Sequence, residues 1–226
     1  MTTAIQKKYQ FAVIAVDPVI FTLINNQLHV LLIKMKKEPY QDAWAAPGGL
    51  VGGDESLDEA AWRLTQEKTG IKDAHFEQLY TFGEVNRDPF GRVVSVAYLT
   101  LISADKIEIK TTSEYSDIKW FPVKKLPALA YDHREMIQIG VTKLQQRILE
   151  SNIVASLLPE EFTLTALQKV YETILEKKID KRNFRKKILS LKILKKTSRR
   201  ELFRANRPAW LYKFVSKKVE AVDILG

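Results

Sequence analysis

Cysteine is absent from this chain of 226 residues, and long uninterrupted apolar runs are absent as well. Without thiols there is no disulfide scaffold and no metal site built on thiolates, and the composition suits a reducing compartment. The longest apolar stretch, FAVIAVDPVIFTLI, is interrupted by Asp17 and Pro18 and is too short to span a bilayer. The first residues, MTTAIQKKYQ, lack the basic and then apolar pattern of a secretory signal. We therefore expect a cytoplasmic protein with no membrane partner.

Net positive charge is absent from the front of the chain and high in the back, where acidic residues are few. Residues 1–150 contain 18 Lys and Arg against 19 Asp and Glu, whereas residues 151–226 contain 18 against 8. This asymmetry predicts two domains, 1–150 and 151–226, with the boundary in the segment SNIVASLLPEEF. A strongly basic domain favours a polyanionic partner, above all nucleic acid, and the alternative is a basic surface that meets only solvent.

The front of the chain alternates between strand and helix patterns. Residues 11–37 are rich in β-branched side chains and predict two strands joined by a hairpin turn at Asn25 and Asn26. Residues 56–69 predict a helix that ends at Gly70, and residues 133–150 predict a second helix with one apolar stripe. Further strands flank the loop NRDPFG, so we expect an α/β fold here.

The back of the chain has the element order of a winged helix. An apolar stripe that begins at Leu164 predicts one helix, and Asp180 can cap a second, KRNFRKKILSL. The residues that follow predict two strands around a basic loop, with Trp210 and Tyr212 as core residues of the last strand. In the second helix basic side chains lie opposite the apolar ones, as a DNA-recognition helix requires. We predict DNA contacts from the helix and from a wing loop, by Lys181, Arg182, Asn183, Arg185, Lys186, Arg199, Arg200, Arg204 and Arg207.

The segment GLVGGDESLDEAAWRLTQEKTGI resembles the Nudix box. That motif reads G-x5-E-x7-R-E-U-x-E-E-x-G-U, with U an aliphatic residue. Six of its positions are matched in register, by Gly49, Glu55, Arg63, Glu67, Gly70 and Ile71. A match of this length predicts the Nudix strand, loop and helix in this part of the chain.

The metal-binding positions of the box are depleted. In the motif, glutamates on one helix face hold Mg²⁺ beside a pyrophosphate. This chain has Leu64, Glu67 and Lys68 at those positions, where Lys68 places an ammonium at the metal position and can pair with Glu67. We therefore expect poor magnesium binding and slow or no hydrolysis, unless nearby carboxylates compensate in part, namely Glu55, Asp58 and Glu59.

The whole layout resembles the Nudix-related transcriptional regulators, particularly the NAD-responsive repressors. The resemblance rests on the box and on the segments FGEVNRDPFGRVVSVAY, AYDHREM and DKRNFRKKI. It implies an α/β/α sandwich with a mixed sheet, followed by a small winged helix-turn-helix domain. It also implies a homodimer that binds operator DNA, represses transcription and senses ADP-ribose or a related NAD metabolite. We expect that no cofactor is required and that magnesium is possible only if residual hydrolase activity remains.

Two alternatives to this function stay open. The chain could be an active Nudix ADP-ribose pyrophosphatase with a basic accessory tail, or the same regulator with a sugar effector, since related regulators of sugar catabolism share the layout. For the effector we predict contacts by Gly48, Gly49, Arg63, Glu67, Phe82, Arg87, Asp88, Arg92, Ser95 and His133.

Several of these residues also have ordinary structural interpretations. Arg87 and Asp88 could form an exposed turn pair, Phe82 and Tyr98 could be core residues rather than platforms for an adenine, and His133 could lie at a helix cap.

Overall fold

Two long strands and the turn between them begin the structure, a computed structural model that describes residues 11–107, 109–110, 112–201, 208–216 and 218–224. Strand β1 spans Val13–Ile24 and β2 spans Gln27–Met35. Asn25 and Asn26 connect them with φ values of 50° and 57°, the left-handed backbone that a two-residue hairpin turn needs. The predicted hairpin is therefore confirmed.

A mixed sheet grows around β1. Its remaining strands are β3 (Trp44–Ala45), β4 (Gly49–Leu50), β5 (His75–Phe82), β6 (Val93–Leu101) and β7 (Tyr115–Pro122). The strand order is β3-β2-β1-β6-β5, with β4 added to β1 and β7 to β2. The β1–β6 pairing is parallel, from Val13 opposite Val93 to Phe21 opposite Leu101, and the other pairings are antiparallel. The parallel pair leaves β1 buried on both faces, so its apolar run does not alternate.

Helix α1 (Leu57–Thr69) covers one face of the sheet. Ser56 accepts a hydrogen bond from the Glu59 amide while the Glu59 carboxylate accepts one from the Ser56 amide, and this capping box sets the start of the helix. Gly70 ends it at φ 78°, as the sequence predicts. Its buried side chains pack against Val16, Val96 and Tyr98, which lie on one face of β1 and β6.

Helix α2 (His133–Glu150) covers the opposite face and has the predicted bounds. A single turn of 3₁₀ helix, Ala104–Lys106, precedes β7, and another, Ile153–Leu157, follows α2. The predicted stripe is buried at Ile137, Leu144 and Ile148 and partly buried at Val141. The sheet thus lies between two helices, which confirms the sandwich.

The back of the chain is a winged helix, as predicted. Its elements are β8 (Phe162–Thr163), α3 (Leu164–Ile174), α4 (Lys181–Ser190), β9 (Leu194–Glu201) and β10 (Ala209–Phe214), and the strands pair in the order β8-β10-β9. Thr163 caps α3 and Asp180 caps α4, each through its side chain. Arg199 and Arg200 lie in β9, so their predicted place in a wing loop is wrong. Arg204 and Arg207 lie outside the described residues.

One apolar cluster joins the front to the back. It contains Phe21 of the sheet, Leu144 of α2, Tyr171 of α3 and Phe184 of α4. The division into 1–150 and 151–226 stays a prediction, because α2 ends at Glu150 but the cluster continues beyond it. Among the helices of the described residues, none is both long enough and apolar enough to cross a membrane.

The packing of α2 on the sheet generates a stability prediction. A Cβ atom at Gly140 would lie 2.9 Å from Cε2 of the buried Phe21 ring. Helix propensity favours Gly140→Ala by about 1 kcal/mol, but overpacking a core costs ~1–3 kcal/mol, so we expect a net loss of about 1 kcal/mol. Urea unfolding measures this loss. Gly83→Ala is the matched control with a change within about 0.5 kcal/mol, because nothing lies within 4 Å of its Cβ. A gain in stability for Gly140→Ala would contradict the packing described.

Candidate functional site

A small cavity of about 150 Å³ opens at the edge of the sheet where β1, β2 and β4 meet the start of α2. Its polar walls come from four parts of the chain that are distant in sequence. The lining residues are Ala15, Asp17, Ile33, Met35, Ala45, Ala46, Gly48, Gly49, Leu50, Arg87, Asp88, Val93, Tyr115, Tyr131 and His133.

Asp17 is the buried anion of this cavity. Side chains alternate along β1, so Asp17 shares a face with Val19 and Phe21 and points toward α2 rather than α1. The Ser95 hydroxyl donates a hydrogen bond to Oδ2 of Asp17. The other oxygen, Oδ1, lies so close to Gly48 that a Cβ there would be 1.8 Å from it. Gly48 is therefore required by close approach, and its φ is not in the left-handed region.

Arg87 is the buried cation beside Asp17. Its guanidinium donates two hydrogen bonds to the Asp132 carboxylate at 2.8 and 2.7 Å and lies 3.9 Å from Oδ2 of Asp17. Burial acts to lower the pKa of Arg87, but the hydrogen bonds to Asp132 together with the negative charges of Asp132, Asp17 and Asp88 outweigh it, and the net pKa is raised. The interpretation of Arg87 and Asp88 as an exposed turn pair is wrong for Arg87, whose side chain is only 3% exposed. Asp88 is half-buried and accepts a hydrogen bond from the Phe90 amide.

His133, the first residue of α2, completes the polar wall. Its Nδ1 accepts a hydrogen bond from the Ala46 amide at 2.9 Å, which leaves the proton on Nε2, 3.8 Å from Oδ1 of Asp17. Burial lowers the pKa of His133, so the ring is neutral. The helix cap is Asp132, whose carboxylate makes no capping hydrogen bond and is bound by Arg87 instead.

The carboxylates of the Nudix box already have partners within the protein. Arg63 donates to both oxygens of Glu55 at 2.8 and 2.5 Å, to Glu67 at 3.0 Å and to the Leu50 carbonyl at 3.1 Å. The bonds from Arg63, with one from the Gly52 amide, lower the pKa of Glu55 to about 2. Glu59 belongs to the capping box, and Asp58 accepts from the Tyr98 hydroxyl.

The two substituted positions of the box have structural roles. Leu64 is 2% exposed and packs against Gly49, so it is part of the core beneath the helix. Lys68 pairs with Glu114 at 2.5 Å and lies 5.1 Å from the centre of the Tyr115 ring. The expected pair with Glu67 is therefore wrong, because Glu67 is bound by Arg63. Within the described ranges, no group of three or more Asp, Glu, His or Cys side chains is arranged to hold a metal ion.

The structure brings half of the predicted effector residues to the cavity. Gly48, Gly49, Arg87, Asp88 and His133 line it, and Ser95 reaches it through Asp17. Four others do not line the cavity, for separate reasons. Arg63 and Glu67 are bound to each other on α1, Phe82 is in the core at 5% exposure, and Arg92 is exposed and donates to the carbonyls of Gly83 and Glu84.

Three polar residues of the cavity were not predicted from the sequence, namely Asp17, Tyr115 and Tyr131. For Asp17 a signal existed, since an acidic residue inside an otherwise apolar strand must have buried partners or a ligand. Tyr131 adopts φ 50°, which its sequence does not indicate. Tyr98, considered as a platform for a base, is 2% exposed and packs in the core under α1.

The basic helix α4 presents a polar face to solvent. Lys181, Arg182, Asn183 and Lys186 are exposed, while Phe184 and Ile188 are buried in the apolar cluster, where Phe184 lies beside Tyr171 of α3. Two other cations of the helix are held by neighbours. Arg185 is half-buried and donates to the Thr165 hydroxyl at 3.1 Å, and Lys187 lies 3.6 Å from Asp223.

The strand β9 extends the basic surface. Arg199 is exposed and lies 3.6 Å from the Glu161 carboxylate. Arg200 and Lys196 lie over the ring of Trp210, at 3.8 and 3.6 Å from its centre. Tyr212 packs against the apolar cluster, but Trp210 does not, so the interpretation of Trp210 as a core residue is wrong.

Two family models match this chain. The NUDIX domain model matches residues 15–138, and the NrtR DNA-binding winged helix domain model matches residues 154–214. The chain is 34% identical over 211 residues to the ADPR responsive transcriptional repressor NtrR of Acinetobacter baylyi, a match that covers 91% of this chain and 83% of that relative.

Two solved structures are also similar to it. Shewanella oneidensis NrtR complexed with a 27mer DNA superposes with a TM-score of 0.80 at 36% identity, covering 89% of this chain and 93% of that one. The NUDIX domain of the same protein complexed with ADP ribose gives a TM-score of 0.56 at 34% identity, covering 64% of this chain and 99% of that one.

The state of His133 generates a pH prediction. A base whose pKa is lowered by folding is neutral in the folded chain while the unfolded chain takes up a proton. Stability should therefore fall as the pH drops below the ordinary value of 6.5, by up to about 1.4 kcal/mol per pH unit. Urea unfolding between about pH 7 and 5 measures this, and His133→Asn, which retains an acceptor for the Ala46 amide, should flatten the profile. Burial lowers the pKa of His75 too, so part of the pH dependence of stability comes from that residue. The variant His75→Gln measures that part separately. An unchanged profile in His133→Asn would contradict the neutral ring.

Proposed function

This chain belongs to the NrtR family of Nudix-domain transcriptional regulators, and we propose that it is a DNA-binding repressor that responds to ADP-ribose. The observation that carries the proposal is the exposed face of α4. There Lys181, Arg182 and Asn183 meet solvent while the apolar face of the helix is buried, which is the arrangement of a recognition helix. Arg and Asn can read guanine and adenine edges, and lysines contact phosphates.

The Nudix region acts in this proposal as a sensor and not as a hydrolase. Magnesium needs several free oxygen ligands, and the residues here do not fit it. Leu64 is a buried core residue, Lys68 is a cation, and Glu55 and Glu67 are both bound by Arg63. No hydrolytic step is therefore assigned to this helix, and no cofactor is required.

The effector site is the cavity around Asp17 and Arg87. At about 150 Å³ it is smaller than the ~300–1,000 Å³ of typical small-molecule sites, so a dinucleotide-sized effector must enlarge it. Arg87 is the one permanently charged cation among its lining residues. A pyrophosphate would compete with Asp132 for the guanidinium, since both present oxygen pairs to the same planar donors. Asp17 and Asp88 supply acceptors for ribose hydroxyls.

Helix α2 connects this cavity to the winged helix. It begins at His133 in the cavity wall and ends at Glu150, and the Gln145 amide donates to the Ile174 carbonyl at the end of α3 at 2.9 Å. Enlarging the cavity moves the residues that hold the start of α2, and the other end of the same helix carries the DNA-binding elements. Effector and DNA then prefer different arrangements of one helix, as a negative coupling between two sites requires.

The proposed assembly is a cytoplasmic homodimer. Paired operator half-sites need two recognition helices about one helical turn apart, ~34–36 Å, and a single chain supplies one. The symmetric arrangement also explains how a small change in each α2 could alter DNA affinity, because it changes the distance between the two recognition helices.

A gel-shift titration on the chain's own promoter region tests the function. We expect binding at fixed, moderate salt and release on addition of ADP-ribose, with an apparent affinity at least about tenfold weaker, the size of a typical coupling between two sites. ADP-ribose incubated with the protein and Mg²⁺ should remain intact. Turnover above about 1 s⁻¹, an ordinary enzymatic rate, would favour the pyrophosphatase instead. Release by pentoses but not by ADP-ribose would favour a sugar effector.

Two arginines of one loop provide a matched test of the effector site. Arg87→Gln should weaken ADP-ribose binding about tenfold to a hundredfold, because it removes a charge-assisted hydrogen-bond donor from the cavity. Arg92→Gln should change it by less than about threefold, since Arg92 is exposed and bonded to carbonyls of its own loop. The ligand-dependent rise in melting temperature measures both. An equal loss in the two variants would place the effector outside the cavity.

A further inference from the structure

We propose that Trp210 is a positioning residue for DNA binding, which holds Lys196 and Arg200 as a paired contact for the phosphate backbone. The inference rests on the proposed function. Lys196, Arg200 and Trp210 together are called the wing clamp below. Of the three, only Arg200 belongs to the DNA-contact residues that the sequence indicates.

The geometry of the hairpin creates the clamp. Strands β9 and β10 are antiparallel, with Arg200 directly opposite Trp210 and Lys196 opposite Tyr212. Lys196 and Arg200 both reach the Trp210 ring, so they lie on the same face of the hairpin. The register shifts between Trp210 and Tyr212. Lys196 Nζ then lies 3.6 Å from the centre of the Trp210 ring and the Arg200 guanidinium carbon 3.8 Å from it. Both distances are well inside the range of a cation–π contact, about 6 Å.

The charges of the clamp lack an anion. Among the residues that the structure describes, neither Lys196 nor Arg200 forms an ion pair, whereas the neighbouring Arg199 has Glu161. Two like charges that share one ring repel each other, and the indole face offsets only part of that repulsion. A site that keeps two exposed cations together in this way is complementary to a negatively charged group that bridges them.

The stacking of the Arg200 guanidinium on Trp210 also favours a DNA phosphate over a base edge as the group that the clamp binds. A guanidinium that lies on an aromatic face keeps the N–H donors at its edge free, and these donors match phosphate oxygens. Lysine contributes a point charge, which suits a phosphate and carries little sequence information. Ordering long cationic side chains before binding reduces the conformational entropy lost when DNA binds.

Trp210 is suited to this role because the core does not use it. Its neighbours in β10, Tyr212 and Phe214, pack against the apolar cluster, but Trp210 is not among the residues packed there. The side chain is half-buried, and the two cations that cover it are exposed. Removing the ring should therefore release the cations and leave the core intact.

The experiment measures affinity for a promoter fragment at several salt concentrations. Trp210→Leu should weaken binding roughly fivefold to tenfold, because the released cations must then be ordered when DNA binds, and it should reduce the slope of log K against log salt by up to about 1. Trp210→Phe retains an aromatic face and should stay within about threefold of the parent. Trp62→Leu, which removes an exposed tryptophan from α1, is the matched control and should change neither quantity.

A second set of variants separates positioning from folding. Lys196→Gln with Arg200→Gln should lower the salt slope by about 2, and adding Trp210→Leu to that pair should have no further effect. An equal effect of Trp210→Leu with and without the cations would show that the ring is only structural. If Trp210→Leu lowers the melting temperature sharply, the test relies on the double variant Lys196→Gln with Arg200→Gln. An unchanged salt slope in that double variant overturns the clamp. A parent protein that fails to bind the fragment overturns the proposed function itself, and the clamp with it.

Discussion

Helix α2 is buried from two sides, and the positions of the cavity around Asp17 and of the winged helix both depend on that burial. One side packs on the sheet, where Gly140 lets the helix approach Phe21. The other side meets α3, and Leu144 and Ile148 are completely buried in the cluster that contains Tyr171 and Phe184. Because packed interiors do not deform continuously, a shift at one end of such a helix is transmitted to whatever packs on the rest of it. The helix is thus a structural member shared by the sensor and the DNA reader.

Burying the charged groups at the start of α2 costs free energy, unlike the apolar packing along the rest of the helix. Arg87, Asp17 and Asp132 are largely withdrawn from water, and buried charges are costly unless each is paired and hydrogen-bonded. Here a chain of hydrogen bonds and ion pairs runs from Ser95 through Asp17 and Arg87 to Asp132, with a neutral His133 beside it. Each charge in this chain has a partner, and an anion that enters could replace one of the carboxylates that Arg87 pairs with.

The sequence was a reliable guide to local structure and a poor guide to partners. The hairpin at Asn25 and Asn26, the helix that ends at Gly70 and the winged-helix order all follow from local turn, capping and periodicity rules, and all are confirmed. The prediction that Lys68 pairs with Glu67 and the prediction that Trp210 is a core residue were wrong. Glu114 and Tyr115 are far from Lys68 in sequence, and a strand pattern does not say which face meets the core. Asp17 was noticed only as an interruption, because its partners come from three other elements.

The last described residues return to the end of α2. Val222 and Ile224 donate backbone hydrogen bonds to the carbonyls of Glu150 and Leu149, and Asn152 bonds both Lys218 and Glu220. The winged helix is consequently attached to the rest of the chain where it begins and again where it ends, at adjoining points. This seam adds a backbone attachment to the apolar cluster, so the DNA-binding part of the chain is fixed to the end of α2 by hydrogen bonds as well as by packing.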